Sequence, residues 1–83
     1  MTLTLYVHDG STSGPTIQSA RVQGTDGAGG SFDAYTNSSG YVRIDGQPGT
    51  WSFTASKSGF QDKSWTNSIT SSTTKRAYLD KEP

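Results

Sequence analysis

His8 and Asp9 are the one place in this 83-residue chain where an imidazole adjoins a carboxylate, and thirteen serines supply candidate nucleophiles. A hydrolytic triad needs the base within hydrogen-bond reach of both nucleophile and orienting acid. Neighbours along a strand point to opposite faces, so His8 and Asp9 do not pair if TLTLYVHD is extended, and no G-x-S-x-G elbow is present. The expectation is a strand-end histidine, a turn aspartate and no catalytic residue. Asp9, Asp26, Asp33 and Asp45 offer the hard oxygen donors that Ca²⁺ takes, but without D-x-D-x-D spacing. Asp-Gly pairs at 9, 26 and 45 are ordinary turn formers, so neither a metal site nor a cofactor is expected. The glycines from Gly27 to Gly30 lack the lysine and following helix of a phosphate loop and read as a flexible hairpin tip.

The aromatic residues hold more promise. Tyr6, Tyr41 and Tyr78 each stand at a polar position of an alternating run, near His8, Arg43 and Arg76. Tyrosine combines a large contact area with a polar tip, which suits stacking on sugar rings or docking a protein, although strands favour tyrosine for their own stability as well. Trp65 shares its parity with Ile69, which argues for the core, while Asp62, Lys63 and Ser64 around it allow an exposed ring. Tyr6, Tyr41, Arg43, Trp65, Arg76 and Tyr78 are therefore the candidate ligand-binding residues. Asn37-Ser38-Ser39 is an N-x-S sequon that makes Asn37 a glycan acceptor in a host that builds such glycans.

Composition narrows the classes. The formal net charge is +0 and Lys75-Arg76 is the only adjacent basic pair, which lacks the clustered cations that neutralise phosphates, so no nucleic-acid partner is expected. No apolar run approaches the length of a membrane span, no charged then apolar leader precedes TLTLYV, and the start reads as that of a domain taken from a longer chain. Absence of cysteine excludes disulfides and thiolate metal sites. Twelve residues are Leu, Ile, Val or Phe, few enough to raise disorder, but neutrality and nine aromatics favour a folded, polar-surfaced domain spanning residues 1–83. Abundant Ser, Thr and Gly, with few basic residues in the first half, suit a secreted or surface β-protein.

Those candidates must be positioned by strands, because alternation with period two recurs between Gly, Pro, Asn and Asp breakers and helical periodicity is missing. Leu3, Leu5 and Val7 form one face of a first strand; Ala20 and Val22 mark a second. Gly24 to Gly30 reads as a loop, since four glycines in seven residues cost backbone entropy. Phe32, Ala34 and Thr36, then Val42 and Ile44, mark the third and fourth strands. GQPGTWSFTASKSGF, from Gly46 to Phe60, has the cleanest alternation, with Trp51, Phe53 and Ala55 on one face. Trp65, Asn67 and Ile69 mark a sixth strand and Ala77 with Leu79 a seventh. Seven short strands need two layers to hide their apolar faces.

The succession VHDGSTSGPTIQSARV, TNSSGYVRI and GQPGTWSFTASKSGF resembles the carboxypeptidase regulatory-like modules, which are related to the B repeats of bacterial collagen adhesins. The matching positions are Asp9-Gly10, Ala20-Arg21-Val22, Thr36-Asn37 with Gly40, Pro48-Gly49 with Trp51, and Gly59-Phe60. The resemblance implies an all-β, seven-stranded Greek-key sandwich of the transthyretin-like (prealbumin-like) kind, with Ig-like architecture. It further implies that strands one, four and seven share a sheet, from which Tyr6, Tyr41 and Tyr78 would all point outward. B repeats often carry an isopeptide cross-link that needs a strand-one lysine; TLTLYVHD has none, and no cross-link is expected.

The function implied is a non-catalytic module of a cell-surface or secreted protein, a structural spacer or adhesion unit. The alternative is a carbohydrate-binding accessory module that uses the tyrosine face. A polysaccharide or another surface protein is the expected partner, with this domain monomeric, extracellular and not inserted in a membrane.

Overall fold

A computed structural model of the chain describes residues 1–82. Seven strands follow in order: β1 (Thr2–Asp9), β2 (Arg21–Thr25), β3 (Ser31–Tyr35), β4 (Tyr41–Asp45), β5 (Gly49–Ser56), β6 (Lys63–Ile69) and β7 (Thr73–Leu79). They form a three-stranded sheet ordered β4-β1-β7 and a four-stranded sheet ordered β3-β2-β5-β6. The architecture is all-β, with the two sheets layered as a sandwich. Strands one, four and seven do lie in one sheet.

Alternation sets which residues meet between the layers. In the smaller sheet Leu3 stands opposite Ile44 and Leu5 opposite Val42, all four buried. In the larger sheet Val22 stands opposite Ala55, and Phe53 lies between Gly24 and Trp65 on its two neighbouring strands. Trp51 and Phe53, 0% and 2% exposed, are the largest side chains in the shared core, and Phe32 packs 5.7 Å from each ring. So few large side chains leave no redundancy in a chain this short.

Two sequence expectations need correction. Gly24 and Thr25 are not loop but the end of β2. A Cβ at Gly24 would collide with the Ser52 carbonyl oxygen and come within 3.2 Å of the Phe32 ring, so the glycine lets β2 run close beneath its neighbours. Close approach of backbone and aromatic rings outweighs the entropy argument that placed it in a loop.

Nor is the hairpin tip a free end. Asp26 Oδ1 accepts the Ala28 and Gly30 amides at 3.0 and 2.8 Å, and Oδ2 accepts the Gln47 amide at 3.0 Å from the β4–β5 turn. Gly27 N–H donates to the Gln47 carbonyl at 3.1 Å, and the same carbonyl receives Trp51 Nε1–H at 2.7 Å. A Cβ on Gly49 would lie 2.8 Å from Gly27 Cα, so the two turns interlock backbone to backbone. The amides of Gln47 and then Gly30 hold the Asp26 carboxyl below its ordinary value. A depressed folded-state value means stability present above the unfolded-state carboxyl range and lost as pH falls through the lower folded value. Thermal melts from neutral pH to below about pH 4 are therefore expected to show the gap between wild type and Asp26→Asn narrowing with acid. A gap that stays constant would show that the carboxylate charge contributes nothing.

Candidate functional site

The outward face of the β4-β1-β7 sheet presents Tyr41, Arg43, Tyr6, Arg76 and Tyr78. Their order across the sheet follows from register: Tyr6 pairs with Tyr41 on one side and with Arg76 on the other, and His8 pairs with Tyr78. The Tyr6 and Tyr41 rings lie 5.3 Å apart at 48°. Arg76 places its guanidinium carbon 4.6 Å from the Tyr6 ring centre, and Arg43 lies 5.7 Å from that of Tyr41. Two adjacent rings are thus flanked by a cation on each side across three strands.

His8 belongs beneath this row rather than on it. It is 5% exposed because the β1–β2 connection folds over it, with Thr16 bridging to its backbone. Its Nδ1 lies 2.7 Å from the Gly14 carbonyl and its Nε2 lies 3.0 Å from Arg76 Nη1. A carbonyl can only accept and a guanidinium can only donate, so these contacts assign the Nδ1–H tautomer, with the Nε2 lone pair holding Arg76 in place. Asp9 points elsewhere and pairs with Lys81 at 3.4 Å.

Trp65 faces the interior, as its parity with Ile69 suggests, yet sits at the open margin of the sandwich where β6 lies across from β7. Its ring stacks on Phe53 at 5.2 Å and 16° and is half-buried. Beside it opens a cavity of about 260 Å³ whose lining includes Thr12, Lys63, Trp65, Asn67, Arg76 and Tyr78. Lys63 crosses this margin to set its Nζ 3.3 Å from the centre of the Tyr78 ring. The structure therefore gathers Trp65, Arg76 and Tyr78 at one cavity, while Tyr6, Tyr41 and Arg43 continue from it across the sheet. Lys63 and Thr12 were missed as site residues. Lys63 had a signal, since it shares the parity of Trp65 two positions on; Thr12 had none, lying in the aperiodic stretch after β1.

Elsewhere, Asn37 is exposed in the β3–β4 turn, where its Oδ1 accepts the Ser39 and Tyr41 amides at 2.9 and 3.3 Å. Its side-chain nitrogen makes no hydrogen bond among the described residues. Arg21 and Asp33 form a bidentate pair on the outer face of the larger sheet, at 3.0 and 2.6 Å. The guanidinium hydrogen bond holds the Asp33 carboxyl below its ordinary value. Among the described residues no group of three His, Cys, Asp or Glu side chains converges as metal ligands.

No family model and no curated protein matches this chain. Among solved structures it is similar to part of the Bacillus anthracis TIE protein, with a TM-score of 0.69 and 9% identity over 96% of this chain. The match covers 16% of that larger protein, and at such identity the likeness concerns the fold alone.

Proposed function

We propose that this chain is a non-catalytic extracellular module of a cell-surface or secreted protein, acting as a spacer or adhesion unit. The sandwich is assigned on the same footing to the transthyretin-like Greek-key kind found in carboxypeptidase regulatory-like modules. The observation that carries the reading is the pairing of the first and last strands. β1 and β7 are neighbours and run parallel, in register from Leu3↔Thr73 to Asp9↔Leu79. The chain therefore enters at one end of a body 36 Å long and 19 by 17 Å across, and leaves at the other. Such a body adds length when joined in series. Tension applied at its two ends loads the β1–β7 ladder along the strands, so that its rungs must yield together. Engagement of both His8 ring nitrogens further supports a role without chemistry.

Single-molecule pulling tests this directly. Handles at the two termini are expected to require a higher rupture force than handles at Gly10 and Glu82, which lie at the same end and peel the ladder rung by rung. Equal forces in both geometries would remove the mechanical argument for a spacer.

A second reading, a carbohydrate-binding accessory module, is favoured by the tyrosine rings and the arginines held against them on the β4-β1-β7 face. In that case soluble polysaccharides should shift resonances of Tyr6, Tyr41 and Tyr78, and a null response over a broad panel would leave the spacer reading alone.

A further inference from the structure

Net neutrality conceals a segregation of charge. The only described ion pairs are Arg21 with Asp33 and Lys81 with Asp9. Arg43, Lys63 and Arg76 thus form no salt bridge among the described residues, and all three stand along the tyrosine face or its margin. No acidic residue lines the cavity at that margin. Asp45, two residues beyond Arg43 on the outer side of β4 and beside the same surface pocket, forms no salt bridge with it. It instead accepts from Thr2 Oγ1 at 2.5 Å, at the end of the sheet away from the β6–β7 cavity. Each cation is held against a ring instead: Lys63 on Tyr78, Arg76 on Tyr6, Arg43 on Tyr41. A ring face orients a cation without cancelling its charge, and leaves its remaining N–H groups directed away from the ring.

We infer that this surface binds an acidic polysaccharide, one whose pyranose rings bear carboxylates, with the cavity between β6 and β7 as its anchoring subsite. The inference rests on the carbohydrate-binding reading and specifies its ligand. Lys63 and Arg76 reach the cavity from opposite layers and supply charge-assisted hydrogen bonds to a carboxylate there. Trp65 and Tyr78 supply apolar surface for the sugar ring, and Asn67 and Thr12 supply groups that match hydroxyls. From that subsite the polymer continues over Tyr6 and Tyr41 to Arg43, across three strands spaced about 4.8 Å apart. His8 acts through Arg76 as a positioning residue, because its Nε2 fixes the guanidinium at the junction of cavity and sheet. A neutral glycan would leave those cations unmatched, whereas an acidic peptide would present no rigid ring for the indole and phenols to cover.

The test is titration of the ¹⁵N-labelled protein with oligogalacturonate, a neutral galactan oligomer of similar length, a poly-glutamate peptide and a single-stranded oligonucleotide. Oligogalacturonate is expected to shift the Trp65 indole and Arg76 side-chain signals saturably, with binding weakened by added salt. Lys63→Ala and Arg76→Lys are each expected to weaken it roughly tenfold, the scale of a charged hydrogen bond. Unchanged amide spectra of the free variants would show that they remain folded, and Thr66→Ala on the opposite face of β6 should bind as wild type. Equal binding of the neutral oligomer would overturn the acidic class while sparing the carbohydrate reading. No response to either sugar would overturn both. Preferential binding of the peptide or oligonucleotide at the same residues would overturn the assignment to a sugar.

Discussion

Trp51→Ala is expected to unfold the protein at room temperature. Trp51 is wholly buried, with Phe32 at 5.7 Å and Phe53 at 6.1 Å, and it ties the β4–β5 turn to the core through Nε1 and the Gln47 carbonyl. Truncating a buried tryptophan costs about 3–5 kcal/mol through lost transfer energy and the cavity left behind. The variant also strips one donor from a carbonyl that joins the two interlocked turns. Small domains have total stabilities toward the low end of about 5–15 kcal/mol, so the loss consumes most of what holds this one together. Urea titration followed by far-UV circular dichroism checks the expectation. Trp51→Phe, which keeps a ring but not the N–H, should fold with reduced stability. A Trp51→Ala protein with a midpoint near wild type would mean that the core can close over the void, contrary to its tight contact with two rings.

That expectation is legible in the sequence alone, because Trp51, Phe53 and Ala55 alternate between turn formers. The seven strands were legible for the same reason. Turns were less so: Asp26-Gly27 declares a turn but not that its carboxylate reaches the Gln47 amide on another one, because that contact depends on how two hairpins converge. Among the six candidate ligand residues, the tyrosines stand at outward parity within their own strands, whereas Trp65 has core parity amid polar neighbours. Parity says which side of a sheet a residue occupies but not what stands opposite at the margin between sheets. Tyr6, Tyr41 and Tyr78 could be expected on one face only through the strand order that the resemblance to carboxypeptidase regulatory-like modules implies, and the meeting of Lys63 with Tyr78 could not be expected at all. β6 and β7 are consecutive yet belong to different sheets, and only that crossover places Trp65 and Arg76 at one cavity.

Thr36→Val is expected to cost about 2–4 kcal/mol even though it preserves the side chain's shape, since it strands two buried polar groups. Thr36 is 3% exposed, immediately beyond β3. Its hydroxyl donates to the Ile17 carbonyl at 2.6 Å and accepts the Ala20 amide at 2.9 Å. Its own backbone amide donates to Ala20 O and its carbonyl accepts from Ser19 N, each at 2.9 Å. The residue therefore clamps the segment that leads from the β1–β2 connection into β2. Neither the Ile17 carbonyl nor the Ala20 amide has another described partner, and valine gives them none. Thr36→Ser provides the converse test, because it keeps both hydrogen bonds and removes one methyl, at a cost of about 1 kcal/mol. Chemical denaturation should therefore rank wild type above serine and serine above valine. Were valine the more stable of the two, water would be reaching the Ile17 and Ala20 groups and hydrophobic burial, rather than the buried hydroxyl, would be what holds that segment down.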